Sequence, residues 1–192
     1  MKKKLWLAMG LTIMLCGCSH ADPEPEAPAF EVDAEPADMS AYRWLEGETA
    51  DFQEITWADS IRFFKEGGTG ILYYGYIDCP FCQRAVPQLN AAARETGTTV
   101  YYVNVYGKGH SADAEEYYAL MECLDDIINH DENGEPDFKV PEVIGVRNGT
   151  ITGHHLSLVD DFHPAYETDQ MSAEQQKKLK QIYLEIIADT FE

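Results

Sequence analysis

The chain has 192 residues, 45% of them apolar and 25% charged, with 34 acidic side chains against 14 basic ones and a formal charge of −20. So large an excess of negative charge repels phosphate backbones and anionic headgroups, which excludes nucleic-acid binding and electrostatic adsorption to a lipid surface. About 150 residues follow Ser40, enough for one domain with its own core.

Met1-Lys2-Lys3-Lys4 precedes an apolar run from Leu5 to Gly17, the order of charges and apolar residues in a secretory signal. The run is shorter than the roughly 20 residues a spanning helix needs. It ends Leu15-Cys16-Gly17-Cys18, which resembles the bacterial lipobox. The resemblance implies that residues 1–17 are a cleaved signal peptide and that Cys18 is lipidated. It further implies a lipoprotein on the extracytoplasmic face of the cell membrane. Two acyl chains hold a protein there far better than one, since each buried CH₂ contributes about 0.8 kcal/mol. Loss of Lys2, Lys3 and Lys4 with the signal makes the mature chain still more acidic. A signal cut elsewhere and an uncleaved anchor are the alternatives. From Ala21 to Met39 the chain is rich in Pro, Glu, Asp and Ala and poor in large apolar residues. Such a segment cannot bury enough surface to offset its conformational entropy. Residues 18–40 are therefore expected to be an extended acidic tether, and residues 41–192 the folded domain.

Phe52–Ile55 alternates and suits an edge strand. Thr56-Trp57-Ala58-Asp59 has the capping-box form and should open a helix that ends at Gly67-Gly68. Gly70–Ile77 is β-rich and apolar, as in a central strand buried on both faces. Asp78-Cys79-Pro80-Phe81-Cys82 comes at its end, and Pro80 suits a first helical turn. The helix should run to about Glu95, kinked at Pro87 and stopped at Thr96-Gly97-Thr98. Thr99–Val105 is the next strand, and a crossover of this length makes strand–helix–strand a parallel βαβ unit. Helical spacing of Tyr117, Leu120, Met121, Leu124 and Ile128 places a helix over 112–128. Pro141 leads into a strand from Glu142 to Arg147, Asn148-Gly149 is a two-residue hairpin turn, and Thr150–His155 returns antiparallel. An irregular acidic stretch, Ser157–Gln170, precedes a last helix beginning at Ser172.

Five cysteines are present. If Cys16 leaves with the signal and Cys18 carries lipid, three remain, and Cys79 and Cys82 are the natural pair. A Cys-x-x-Cys pair admits three readings. A stabilising bridge over so short a loop would contribute little entropy. A zinc site needs two further ligands, and no second Cys-x-x-Cys or His-x-x-x-His is present, so no metal is expected. Redox exchange needs a thiolate, which a helix N-terminus favours through its unpaired N–H groups and its dipole. Cys79, just before the helix, is the expected nucleophile, and Cys82, a turn inside, the resolving thiol.

With Cys79-Pro80-Phe81-Cys82 between strand and helix, and Val140-Pro141 directly before a hairpin strand, the chain resembles the thioredoxin-like thiol–disulfide oxidoreductases from Asp51 to the C-terminus. The resemblance implies an α/β fold with a central mixed sheet and helices on both faces. It implies that Pro141 is cis and packs, with Val140, against the redox pair. Pro80, Phe81 and Tyr76 are expected to shape the substrate groove. The extracytoplasmic anchor and the acidic insertion before the last helix also resemble the bacteriocin transport accessory proteins. Pro80-Phe81 is closer to the Pro-Tyr of glutaredoxins than to the Gly-Pro of thioredoxins. Where thioredoxins carry a Trp before the motif and a buried Asp six residues before the first Cys, this chain has Asp78 and Tyr73. Asp78 is expected to raise the pKa of Cys79 if its carboxylate points inward, and no buried proton acceptor of the thioredoxin kind is expected.

The function so implied is disulfide exchange on exported proteins or peptides. No nucleotide or flavin motif is present, so no cofactor is expected and electrons come from or go to a thiol partner protein. A non-catalytic accessory or peptide-binding lipoprotein and a metallochaperone using Cys79 and Cys82 are the alternatives. Cys123 reads as a small buried apolar residue. His154 and His155 are adjacent on a strand and so point to opposite faces. His110 and His163 fall in loops. Tyr73, Tyr74, Tyr101 and Tyr102 read as sheet packing.

Overall fold

The computed structural model describes residues 30–107 and 111–192. The signal segment with Cys16 and Cys18, most of the tether, and His110 lie outside the described residues. Six strands and four helices follow one another as β1 (Glu35–Pro36), β2 (Phe52–Glu54), α1 (Trp57–Lys65), β3 (Gly70–Gly75), α2 (Pro80–Thr96), β4 (Val100–Asn104), α3 (Ala114–Cys123), β5 (Glu142–Arg147), β6 (Thr150–Leu156) and α4 (Ala173–Phe191).

The sheet order is β1-β2-β4-β3-β5-β6. β4 runs parallel to both β2 and β3, while β5 is antiparallel to β3 and to β6, and β1 antiparallel to β2. Successive residues of β3 serve opposite faces. Ile71 and Tyr73 pack with α2 and α4, and Leu72 and Tyr74 with α1 and α3. All six residues of β3 are buried, as expected of a strand covered on both sides. This mixed sheet with helices on both faces, a Cys-x-x-Cys opening α2 and a Pro before β5, is the α/β arrangement that the sequence resemblance implied.

Local signals fix most element ends. Thr56 caps α1 by accepting from Asp59 N–H at 3.1 Å, and Ser172 caps α4 in a capping box with Gln175. The β5–β6 turn has positive φ at both Asn148 (49°) and Gly149 (78°), the pairing that matches the twist of two antiparallel strands. A side chain at Gly149 would also meet the Phe64 carbonyl oxygen at 2.6 Å, because the hairpin tip docks on the end of α1.

Three expectations are corrected. Residues 30–40, assigned to the tether, lie on the domain. Phe30 meets Phe63 edge-on at 4.7 Å, β1 pairs Glu35 with Glu54 and Pro36 with Gln53, and Met39 is buried. Average composition hid these few apolar side chains, which dock on an exposed strand. For the same reason β2 is not an edge strand. α3 ends at Cys123 rather than Ile128, where Asp125 and Asp126 oppose the negative end of the helix dipole. α2 runs through Pro87, from Pro80 to Thr96, close to its expected end.

Candidate active site

The site begins where β3 stops. Tyr76–Asp78 turn the chain, and Cys79 takes an extended conformation (φ −75°, ψ 116°) as the N-cap of α2, with Pro80 next. The Cys79 sulfur accepts from the Cys82 N–H at 3.2 Å, and its thiol reaches the Val140 carbonyl oxygen at 3.9 Å. The Val140–Pro141 bond, just before β5, is cis. Cys79 is 4% exposed and Cys82 fully buried, and both are free thiols here.

These surroundings split the two sulfurs. Cys79 is pulled down to about 7, first by the thiol of Cys82, then by the N–H groups of Cys82 and Phe81 and the charge of Arg84, against the cost of its burial. Cys82 is pushed far up, chiefly by burial and then by the neighbouring Cys79 sulfur. The arrangement can present a thiolate at Cys79 near neutral pH and hold Cys82 protonated behind it.

Beside Cys79 lies a groove of about 810 Å³ lined by aromatic and aliphatic side chains, among them Trp57, Tyr76, Phe81, Tyr117, Phe138 and Val140. Phe81 is 40% exposed at its rim. Pro80 and Lys139 also line it. Asp78 is exposed, in a small recess with Arg43, Gln83, Arg84 and Glu167, so an inward carboxylate beside Cys79 is not found. Solvation of the carboxylate favours that outward position.

Other candidates are dispersed. Cys123 sits half-buried at the end of α3, against the core on the opposite face of the sheet, and burial raises its pKa. His154 Nδ1 pairs with the buried Glu142 Oε1 at 3.0 Å, whereas the ring of His155 packs on Tyr183 of α4. His163 is exposed in the acidic loop. Among the described residues no three His, Cys, Asp or Glu side chains are grouped to hold a metal.

Two features were not foreseen. Arg84, two residues past Cys82, is 2% exposed and lies over the rings of Trp44 (5.1 Å) and Phe162 (5.7 Å). It donates to four backbone carbonyls: Pro80 O at 2.5 Å, Glu167 O and Asp169 O at 2.8 Å, and Tyr166 O at 3.3 Å. The acidic stretch before α4 is thereby tied to the first turn of the active helix. Gln83 does the same for the N-terminal segment. Its side chain accepts from Arg43 N–H at 2.8 Å and donates to Ile77 O at 2.6 Å and Ala41 O at 3.2 Å.

The second is a cluster of phenols beneath Cys82. The hydroxyls of Tyr42 and Tyr73 are 3.2 Å apart and buried, and the Tyr73 ring stacks on Tyr102 with centroids 5.3 Å apart. Tyr73 and Cys82 share one core cluster, and the Tyr73 hydroxyl offsets a small part of the rise that burial imposes on the Cys82 pKa. It occupies the space above Gly75, where a Cβ would lie 2.2 Å from it. Tyr-x-Gly at the end of a strand is the one sequence signal for this cluster.

No family model matches the sequence. Among solved structures, the chain is similar to thioredoxin O2 from Arabidopsis thaliana in its oxidized state, with 13% identity and a TM-score of 0.39, the match covering 70% of this chain and 96% of that one.

Proposed function

We propose that the protein is a thiol–disulfide oxidoreductase acting on exported proteins or peptides, held on the extracytoplasmic face of the cell membrane by lipid on Cys18. The observation that carries this reading is the position of Cys79, with its sulfur at the N-cap of α2 accepting the Cys82 N–H at 3.2 Å and a buried thiol behind it. In the reducing direction the Cys79 thiolate attacks a substrate disulfide. A Cys79–substrate bond forms and one substrate sulfur leaves as a thiolate. Cys82 then attacks Cys79, the Cys79–Cys82 bond forms, and the second substrate sulfur leaves and takes up the proton that Cys82 gave up. The oxidising direction runs the same steps backward. A thiol partner protein restores the pair.

Val140, Pro141, Pro80 and Phe81 would frame the substrate chain. The apolar groove suits a peptide with aliphatic or aromatic residues beside its cysteine. That groove also favours the second reading, a non-catalytic accessory or peptide-binding lipoprotein serving a bacteriocin or peptide transporter.

The test is a trap. A Cys82→Ser chain has the nucleophile but no resolving thiol. Offered a disulfide-bonded peptide, it is expected to accumulate a one-to-one mixed disulfide that peptide mapping places on Cys79. No adduct, or an adduct on Cys123, contradicts the catalytic reading, and peptide binding without exchange would favour the accessory one.

A further inference from the structure

The apolar groove beside Cys79 adjoins a second cleft. Trp57 and Ser111 line both, and the second has a volume of about 470 Å³. The two differ in chemistry. The first presents Tyr76, Phe81, Val105, Phe138, Val140 and Leu156 around the nucleophile. The second presents the carboxylates of Asp33, Glu35, Glu54, Asp59 and Glu116, and among the described residues no Lys or Arg lines it. The fold gathers these acids from the segment at β1, from β2, from α1 and from α3, so they do not reflect one acidic run of sequence. Asp59 pairs with Arg62 at 3.2 Å, and Glu116 accepts from the Asp113 N–H at 3.2 Å in a capping box. Asp33 and Glu35 are exposed. Lys139, the one cation lining the apolar groove among the described residues, is held by Asp137 at 2.6 Å.

We infer that the two clefts form one docking surface for a cationic peptide that carries a cysteine: apolar residues beside the cysteine fill the groove at Cys79, and a Lys- or Arg-bearing segment further along the peptide passes Trp57 and Ser111 to lie against Asp33, Glu35 and Glu116. Charge complementarity selects this occupant. Carboxylates grouped in a cleft produce a negative potential that raises the local concentration of cations. A neutral apolar peptide gains only the groove, and an acidic one meets like charge beyond it. The two halves do different work. Apolar contact beside Cys79 holds the peptide where the nucleophile is. The acidic cleft steers its approach and sets which way the chain lies, an effect on the rate of encounter more than on raw affinity. Attraction to exposed carboxylates is screened over about 8 Å at physiological ionic strength, so the preference for cationic peptides weakens as salt is added while the apolar contribution persists.

The inference rests on the proposed exchange reading, which brings a substrate cysteine to Cys79, and the test separates the two. Fluorescent peptides are made with serine in place of cysteine, an apolar flank beside it, and a tail of Lys, Ser or Glu. Their binding to the reduced full chain is read by anisotropy at low salt. The Lys-tailed peptide is expected to bind about tenfold more tightly than the Ser-tailed one, and the Glu-tailed peptide more weakly than either. Added salt should narrow that gap, and a polar flank in place of the apolar one should weaken all three. Asp33→Asn combined with Glu35→Gln is expected to cut the Lys-over-Ser preference by about threefold. Glu174→Gln combined with Glu185→Gln changes the net charge equally, but on α4, across the sheet, and should leave the preference as it is. Equal binding of Lys- and Ser-tailed peptides overturns the inference. The same loss in both double variants does so too, since that marks net charge rather than a cleft. The cysteine-bearing, disulfide-bonded forms of the peptides then read exchange. Selective binding with no exchange removes the oxidoreductase reading and leaves the docking surface, and exchange with no selectivity does the reverse.

Discussion

A chain in which Cys79 is replaced by serine is expected to show no disulfide exchange above the uncatalysed rate. A hydroxyl cannot form the sulfur–sulfur bond through which each half of the proposed cycle passes, so the loss is complete rather than graded. Cys82 cannot take over. It is fully buried behind Cys79, and burial holds its thiol protonated far above neutral pH. The wild-type chain carries the complementary expectation. With Cys79 drawn down to about 7, its alkylation rate should rise with pH to a midpoint there and level off above it. At pH 7 about half of Cys79 would be thiolate, against roughly 3% for a cysteine with the usual pKa of 8.5. Below the midpoint protonation removes the nucleophile, so both alkylation and exchange fall as pH drops. Stopped-flow alkylation of wild type and Cys82→Ser measures this directly. A midpoint near 8.5 would show that the N-cap and Arg84 do not act on Cys79, and residual exchange in Cys79→Ser would assign the activity to another group.

The second large effect is expected at Arg84. Its guanidinium is buried between Trp44 and Phe162 and satisfies carbonyls of Pro80, Tyr166, Glu167 and Asp169. Arg84→Leu keeps the apolar contact but strands those acceptors. An unsatisfied buried acceptor costs about 1–3 kcal/mol, and part of the loop can swing out to water, so a net destabilisation of about 2–4 kcal/mol is expected. Loss of the positive charge also raises the Cys79 pKa, so alkylation at pH 7 should slow even where the variant is folded. Arg84→Lys retains the charge without the planar fork of donors. It should recover the Cys79 reactivity better than the stability. Urea unfolding with parallel alkylation separates the two. An unchanged unfolding midpoint in Arg84→Leu would mean that the acidic loop is held by other contacts.

What could be read from the sequence follows a physical division. Features set within a few residues were legible: the Thr56 and Ser172 caps, the Asn148-Gly149 turn, Pro80 in the first turn of α2, and Cys79 at its N-terminus. Each is a local balance of backbone hydrogen bonds and side-chain propensity. The strand order β1-β2-β4-β3-β5-β6 was not read from the sequence, because nothing local selects strand neighbours. Contacts made at long range were not legible. Arg84 meets carbonyls more than 80 residues away, and backbone carbonyls leave no trace in side-chain sequence. An arginine one turn into an active-site helix reads as a surface charge until the loop that covers it is seen. Phe30 and Met39 were hidden inside an acidic, Pro-rich stretch whose average composition resembles a tether. Tyr73 reads as one more strand tyrosine. Only Gly75, two residues on, hints that its hydroxyl needs room at the end of the strand.

The central claim is that Cys79 and Cys82 form one reversible dithiol–disulfide couple in the folded protein. Equilibrating the full chain against graded ratios of reduced and oxidised glutathione, then counting free Cys79 and Cys82 by alkylation and mass spectrometry, tests it directly. The expected result is a two-electron transition in which both thiols disappear together, with Cys123 unaffected. A potential near about −270 mV would mark a reductase and one near about −120 mV an oxidase. A pair that never closes, or that opens only when the domain unfolds, would contradict the claim.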